Sequence, residues 1–172
     1  MKTKIQIKSV FGKLLFEYES DNNTIKKTLE NAVEQSADLQ SADLRFANLQ
    51  SADLRFADLR STDLRSANLQ SADLQSADLR FANLQSADLQ SADLRFADLR
   101  STDLRSANLR SADLDFSCLP LWCGAQFEAD KKICQQLLAH SLRICELSDC
   151  GTGEMKKEIA KYIKGWHHDD DF

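Results

Sequence analysis

A chain of 172 residues and 19.4 kDa has room for one domain of ordinary size or a capped repeat array, and not for two large catalytic domains. Hydrophobic residues at 42% and charged residues at 28% lie near globular values, which excludes wholesale disorder and a membrane bundle. A net charge of −5 and a pI near 5.2 argue against a protein that binds by neutralising phosphates, so no direct nucleic-acid ligand is expected.

The residues from Met1 to Lys8 alternate charged and apolar side chains and lack the apolar run of a secretory signal or spanning helix. The expectation is a cytoplasmic protein with no membrane partner. Ile5 and Ile7, then Leu14, Phe16 and Tyr18, alternate at period two around Gly12, which predicts a β-hairpin. Asp21, Asn22 and Asn23 then offer a helix N-cap, with Ile25, Leu29, Ala32 and Val33 on one face of the helix that follows. Hairpin and helix, residues 1–35, are expected to cap what comes next.

From Ser36 onward the chain repeats every five residues. Leucine occupies every fifth position from Leu39 to Leu119, 17 in all, and two residues before each stands Ala, Thr62, Thr102 or Ser117. Asp or Asn fills the position between, until Cys118. Five residues advance about 500° on an α-helix, so the leucines would wind around the whole surface instead of forming a stripe. In an unbroken strand an odd period sends alternate leucines to opposite faces. If Ala and Leu of each pentad both point inward, their spacing of two is a short pleat and the remaining three residues make a corner. The chain must coil into a tube whose stability is a nearest-neighbour sum along its axis.

The residues Ala37-Asp38-Leu39-Gln40-Ser41 and their successors closely resemble the pentapeptide-repeat family. That resemblance implies an all-β solenoid, a right-handed quadrilateral parallel β-helix with one pentad per side and four per turn. An internal identity agrees with it. Gln50 to Leu69 recurs as Gln90 to Leu109, an offset of 40 residues, which is two turns of twenty.

On that geometry each side is charged separately. The first side sets Asp38, Asp58, Asp78 and Asp98 against Arg60, Arg80 and Arg100; the second balances Asp43, Asp63 and Asp103 with Arg45, Arg65 and Arg105. The third is mostly amide, through Asn48, Asn68, Asn108, Gln50, Gln70 and Gln90. The fourth is the acidic one, with Asp53, Asp73, Asp93, Asp113 and Asp115 against Arg55 and Arg95. Most of this pattern reads as a solvated, self-neutralising ladder. Phe46, Phe56, Phe81, Phe96 and Phe116 replace serine at corners, and Phe56, Phe96 and Phe116 share one column with Ser76 between the first two. The fourth side and this column, Asp53, Asp73, Asp93, Asp113, Asp115, Phe56, Phe96 and Phe116, form the candidate interaction surface.

Near the C-terminus, Pro120 to Gly124 breaks the register and Ala125-Gln126-Phe127 reads as one last displaced pentad, so the tube is expected over residues 36–127. Residues 128–172 read as a helical cap with a charged tail. Ile133, Leu137, His140, Ile144 and Leu147 share one helix face, and Met155, Ile159, Tyr162, Ile163 and Trp166 share a second. The five cysteines, Cys118, Cys123, Cys134, Cys145 and Cys150, are odd in number and leave the body unstapled, which favours reduced thiols. Cys134, His140, Cys145, Cys150, His167 and His168 lack the short ligand spacings of a zinc site, so no metal and no cofactor is expected. A convex tube offers no concavity in which unlike groups converge, and no enzyme is expected. The leading expectation is a scaffold for an unidentified protein partner. The alternative, implied by resemblance to quinolone-resistance members of the family, is a DNA mimic that binds DNA gyrase. A monomer closed by lids is favoured over the end-to-end dimer that the family allows.

Overall fold

The computed structural model describes residues 1–115 and Ser117. Strand β1, Lys2–Lys8, pairs antiparallel with β2, Leu14–Asp21, matching Ile5 with Tyr18 and Ile7 with Phe16. The register slips between Ile7, paired with Phe16, and Lys8, paired with Leu14, which leaves Leu15 of β2 as the extra residue of a bulge. Gly12 takes a φ of +83° at the connection, and the hydroxyl of Ser9 accepts from the backbone of Phe11 and Lys13 there.

Helix α1 spans Ile25–Glu34 and buries Leu29 and Ala32 completely, with Ile25 and Val33 partly covered. Its N-cap is Thr24, whose hydroxyl accepts from the Lys27 amide at 3.2 Å, and not the Asp21 to Asn23 run expected from sequence. Those residues are engaged elsewhere. Asn22 sits in the left-handed region at φ +50°, and the Asn23 side chain donates to the Tyr18 carbonyl and accepts from the Thr24 amide.

Past Gln35 the chain coils. Parallel bridges join residues twenty apart, from Asp43 with Asp63 through Asp93 with Asp113, so each turn holds four pentads and has four sides. The inward leucines from Leu39 to Leu114 and the alanines between them are buried. Thr62, Thr102 and Ser117 replace alanine at no polar cost, because their hydroxyls donate to the carbonyls of Leu59, Leu79 and Leu114 at 2.7–2.8 Å.

The pentad Ala72 to Ser76 shows how every backbone N–H is satisfied. Ala72 donates to Leu69 across the corner, Asp73 to Ala52 of the preceding turn, and Leu74 and Ser76 to Asp93 and Arg95 of the following turn. The fifth, Gln75, donates to the Oδ1 of Asp73 at 3.1 Å. Asp or Asn two residues earlier is therefore a backbone requirement, since either side chain offers that oxygen. Every corner residue from Ser36 to Ser111 lies at φ between +53° and +61°, without a glycine among them. The residue absorbing this conformation is serine or phenylalanine, with its side chain turned outward.

The first turn is closed by the preceding elements. The Asp43 amide donates to the carbonyl of Lys8 at 2.8 Å, and the Val10 amide to Ser41 at 2.8 Å. On the fourth side the Asp53 amide has no earlier turn to reach, and Glu30 of α1 supplies a carboxylate oxygen at 3.0 Å. Lys26, one helical turn earlier, donates to the Ser51 carbonyl at 2.7 Å. Helix α1 ends at Glu34 with Gln35 as its C-cap; the boundary at 127, the displaced pentad and the C-terminal helices lie outside the described residues.

Candidate functional site

The fourth side is built from the second residue of each pentad, pointing outward because its neighbours on both sides point in. Asp53, Asp73, Asp93 and Asp113 rise in one file, linked by consecutive parallel bridges. About 4.8 Å separates neighbours. Arg55 makes a bidentate contact with Asp53, Nε to Oδ1 at 2.8 Å and Nη2 to Oδ2 at 2.6 Å, and its Nε lies 3.6 Å from Asp73 of the next turn. Arg95 grips Asp93 in the same way, and Gln75 donates to that carboxylate from the turn below. Arg55 hydrogen bonds hold the Asp53 carboxyl below the usual range. At Asp93 burial works to raise the value, but the bonds from Arg95 and Gln75 outweigh it and the carboxyl is again lowered.

This in-pentad clasp recurs on the first and second sides, joining Arg45 to Asp43, Arg60 to Asp58, Arg65 to Asp63, Arg80 to Asp78, Arg100 to Asp98 and Arg105 to Asp103, all at 2.5–2.6 Å. Arg45, Arg60 and Arg80 also approach the aspartate one turn on, at 3.6–3.8 Å. The ladder expected from sequence is thus present in two directions, within a pentad and between turns. Exposed pairs of this kind contribute little to stability.

Asp115 does not extend the acidic file. It stands at the pentad position of Arg55, Gln75 and Arg95 and is only 4% exposed. Phe56 and Phe96 project from the corner between the fourth and first sides, 76% and 58% exposed. Phe46 and Phe81 are as prominent but stand on other corners. Phe116 lies outside the described residues, as do all five cysteines and the three histidines. Among the described residues no group of three His, Cys, Asp or Glu side chains is arranged to hold a metal ion, and no helix is long and apolar enough to cross a membrane.

Two residues that matter for this side escaped the sequence reading. Glu30 and Lys26 are spaced as an ordinary i,i+4 surface pair, and only the fold reveals that both bond to backbone of the first turn. The amphipathic face of α1, which lays the helix on the tube, was the available signal.

Among solved structures the chain is similar to the pentapeptide-repeat protein Rfr23 from the cyanobacterium Cyanothece 51142, at 37% identity and a TM-score of 0.47, over 54% of this chain and 59% of that one. It is also similar to HetL from Nostoc sp. strain PCC 7120, a pentapeptide-repeat protein involved in heterocyst differentiation regulation, at 44% identity and a TM-score of 0.44, over 45% of this chain and 36% of that one. The chain therefore spans about three-fifths of the first relative and about a third of the second. QnrB1, a plasmid-mediated fluoroquinolone resistance protein, matches at 19% identity and a TM-score of 0.24, over 59% of this chain and 73% of that one. No curated protein sequence matches. The pentapeptide-repeat family matches in eight copies, over residues 37–75, 62–99 and 87–120. With its unbroken pentad register and twenty-residue turns, the chain belongs to the pentapeptide-repeat family.

Proposed function

We propose that this chain is a non-enzymatic cytoplasmic scaffold that presents a protein partner with the fourth side of its tube and the adjoining Phe56 and Phe96 edge. The coil takes the right hand of its family. One observation carries the reading: two exposed phenylalanines two turns apart border a polar side whose arginines are already clasped by its own aspartates. Such a surface supplies apolar anchors inside a rim of fixed polarity, the anatomy of a protein interface. Catalysis needs unlike groups converging on one point, whereas each side here repeats the same Asp, Asn, Arg and Gln positions at every turn.

The competing reading is a DNA mimic that binds DNA gyrase, favoured by the Asp53, Asp73, Asp93 and Asp113 file. Charge density weighs against it. Residues 41–100 make three turns and carry nine aspartates and seven arginines, a net of −2. Over the same length of about 14 Å, duplex DNA carries about eight negative charges. The aspartates also answer a backbone need that asparagine meets equally, so their acidity is not required to explain them.

The test is affinity capture from the source cell with wild type and with a Phe56→Ser/Phe96→Ser double variant. A specific protein retained by the first and lost by the second is expected. Capture unchanged by the double variant overturns the assignment of the edge. The competing reading predicts that wild type alters gyrase supercoiling at micromolar concentration and that Asp53→Asn, Asp73→Asn, Asp93→Asn and Asp113→Asn together weaken the effect; an inert wild type removes it.

A further inference from the structure

Among the described residues the corner column of Phe56, Ser76 and Phe96 alternates in size, and all three are exposed. Phe56 N donates to Gln75 O and Ser76 N to Arg95 O, so the corners rise in register, one per turn. The fourth side alternates in the same phase. The two phenylalanine turns carry the clasps of Asp53 with Arg55 and Asp93 with Arg95, while the serine turn has Asp73 followed by Gln75. A ridge that reads large, small, large, beside a file that reads cation, amide, cation, complements a copy of itself run in the opposite direction and displaced by one turn. We propose that the chain self-associates along this edge as an antiparallel two-fold dimer in which Phe56 of each protomer seats over the partner's Ser76.

A two-fold axis across the edge makes the same contact twice. It keeps the fourth sides of the two tubes on the same flank, and the one-turn displacement sets Arg55 opposite the partner's Asp73. Within its own tube that aspartate is approached by Arg55 of the turn below at 3.6 Å, its own pentad offering the amide of Gln75 in place of a guanidinium. Steric and electrostatic matching thus require the same displacement. The other corners lack the pattern: Phe46 stands in a column with Ser66, Ser86 and Ser106, and Phe81 in a column with Ser41, Ser61 and Ser101.

The alternation has a visible origin in the sequence. Residues 36–54 recur as residues 71–89, an offset of 35, and this carries the counterpart of Phe46 to a different corner, at Phe81. Residues 50–69 recur as residues 90–109, an offset of 40, and this returns the counterpart of Phe56 to its own corner, at Phe96. One extra pentad accounts for the difference. It is the step that aligns two phenylalanines on one edge with a serine gap between them.

A phenylalanine fully covered buries about 150–250 Å². Four partly covered rings and their flanks leave the contact below the roughly 1,200 Å² of lasting complexes, so association is weak and depends on concentration. Sedimentation equilibrium of the full chain from micromolar to millimolar concentration reads it directly. Wild type is expected to rise from one protomer toward two. Phe56→Ser weakens association by about tenfold or more. Ser76→Phe, which adds apolar surface but fills the gap, weakens it as well, whereas Phe81→Ser leaves it unchanged. Each variant places at a corner a residue that other corners of this tube already hold, and a thermal melt verifies folding. A wild type that stays monomeric at millimolar concentration overturns the dimer, as does strengthening by Ser76→Phe, the mark of unspecific adhesion. A monomer that still captures a partner protein overturns this inference and leaves the scaffold reading standing.

Discussion

The hairpin and helix of residues 1–35 and the tube that follows solve the same problem, pairing backbone while burying apolar side chains, by opposite means. In the cap each contact is made once: Thr24 caps the helix, Ser9 holds the hairpin connection, and Glu30 stands in for a missing turn. In the tube one solution is copied, so the side chain that serves one pentad serves them all. Redundancy makes the tube tolerant of outward change and intolerant of any change that the copied solution forbids. The cap inverts this, since its positions are individually replaceable at modest cost yet none has a neighbour to share the load.

Removal of an inward leucine is the severest challenge to the copied solution. Leu84 is fully buried mid-tube, with further turns on both sides. Leu84→Ala is expected to cost about 2–5 kcal/mol in a denaturant titration, because rigid turns above and below cannot collapse on the void. Leu29→Ala in the cap falls at the lower end of that range if the ten-residue helix shifts to fill its own cavity. Equal losses at the two positions would erase the distinction between the regions.

The corners come next. Ser86 lies at φ +59°, where a β-branched side chain is badly accommodated. Ser86→Val is expected to lower stability by about 1–3 kcal/mol, while Ser86→Phe stays close to wild type, since Phe81 and Phe96 already adopt this conformation. A harmless valine would mean that the corners relax more readily than their uniform φ implies.

A smaller effect separates charge from backbone chemistry. Asp73→Ala removes the acceptor of the Gln75 amide and is expected to cost about 1 kcal/mol, whereas Asp73→Asn retains the oxygen and costs little. If both variants lose the same stability, the charge and not the backbone acceptor is what the position supplies. Glu30→Ala is the counterpart in the cap. It leaves the Asp53 amide without its partner and is expected to lower the melting temperature by a similar margin, with the loss confined to the first turn in hydrogen exchange.

These contrasts also explain what the sequence could disclose. A strict period of five admits neither helix nor flat strand, so the tube, its inward leucines and its four sides were legible from Leu39 onward. The hairpin was legible from Ile5, Ile7, Phe16 and Tyr18 for the same reason, a period tied to one geometry. What stayed hidden concerns backbone. The Asp and Asn file reads as surface charge until the Gln75 amide is found bonded to Asp73, and serine at a corner gives no sign of a left-handed φ that glycine would have announced. Three residues before Thr24 competed for the cap position, and the strand-to-helix turn that occupies Asn22 and Asn23 is tertiary information. On the candidate surface, the burial of Asp115 is likewise tertiary information.

The smallest expected effect has the opposite sign and lies in the cap. Thr28 is fully buried on α1, and its hydroxyl is the one buried side-chain polar atom among the described residues that lacks a hydrogen-bond partner. In the tube the equivalent situation does not arise at Thr62 and Thr102, whose hydroxyls donate to a leucine carbonyl, that of Leu59 across the corner for Thr62 and that of Leu79 in the preceding turn for Thr102. The helix surrounding Thr28 has committed its carbonyls to its own ladder. Thr28→Val keeps the branched shape and comparable helix propensity while discarding the stranded hydroxyl. It is expected to stabilise the chain by about 1 kcal/mol, whereas Thr62→Val, which discards a made bond along with its donor, is expected to be nearly neutral. Equilibrium unfolding of the two variants side by side measures the difference, and a destabilised Thr28→Val would mean that the cap, like the tube, leaves no buried polar group unanswered.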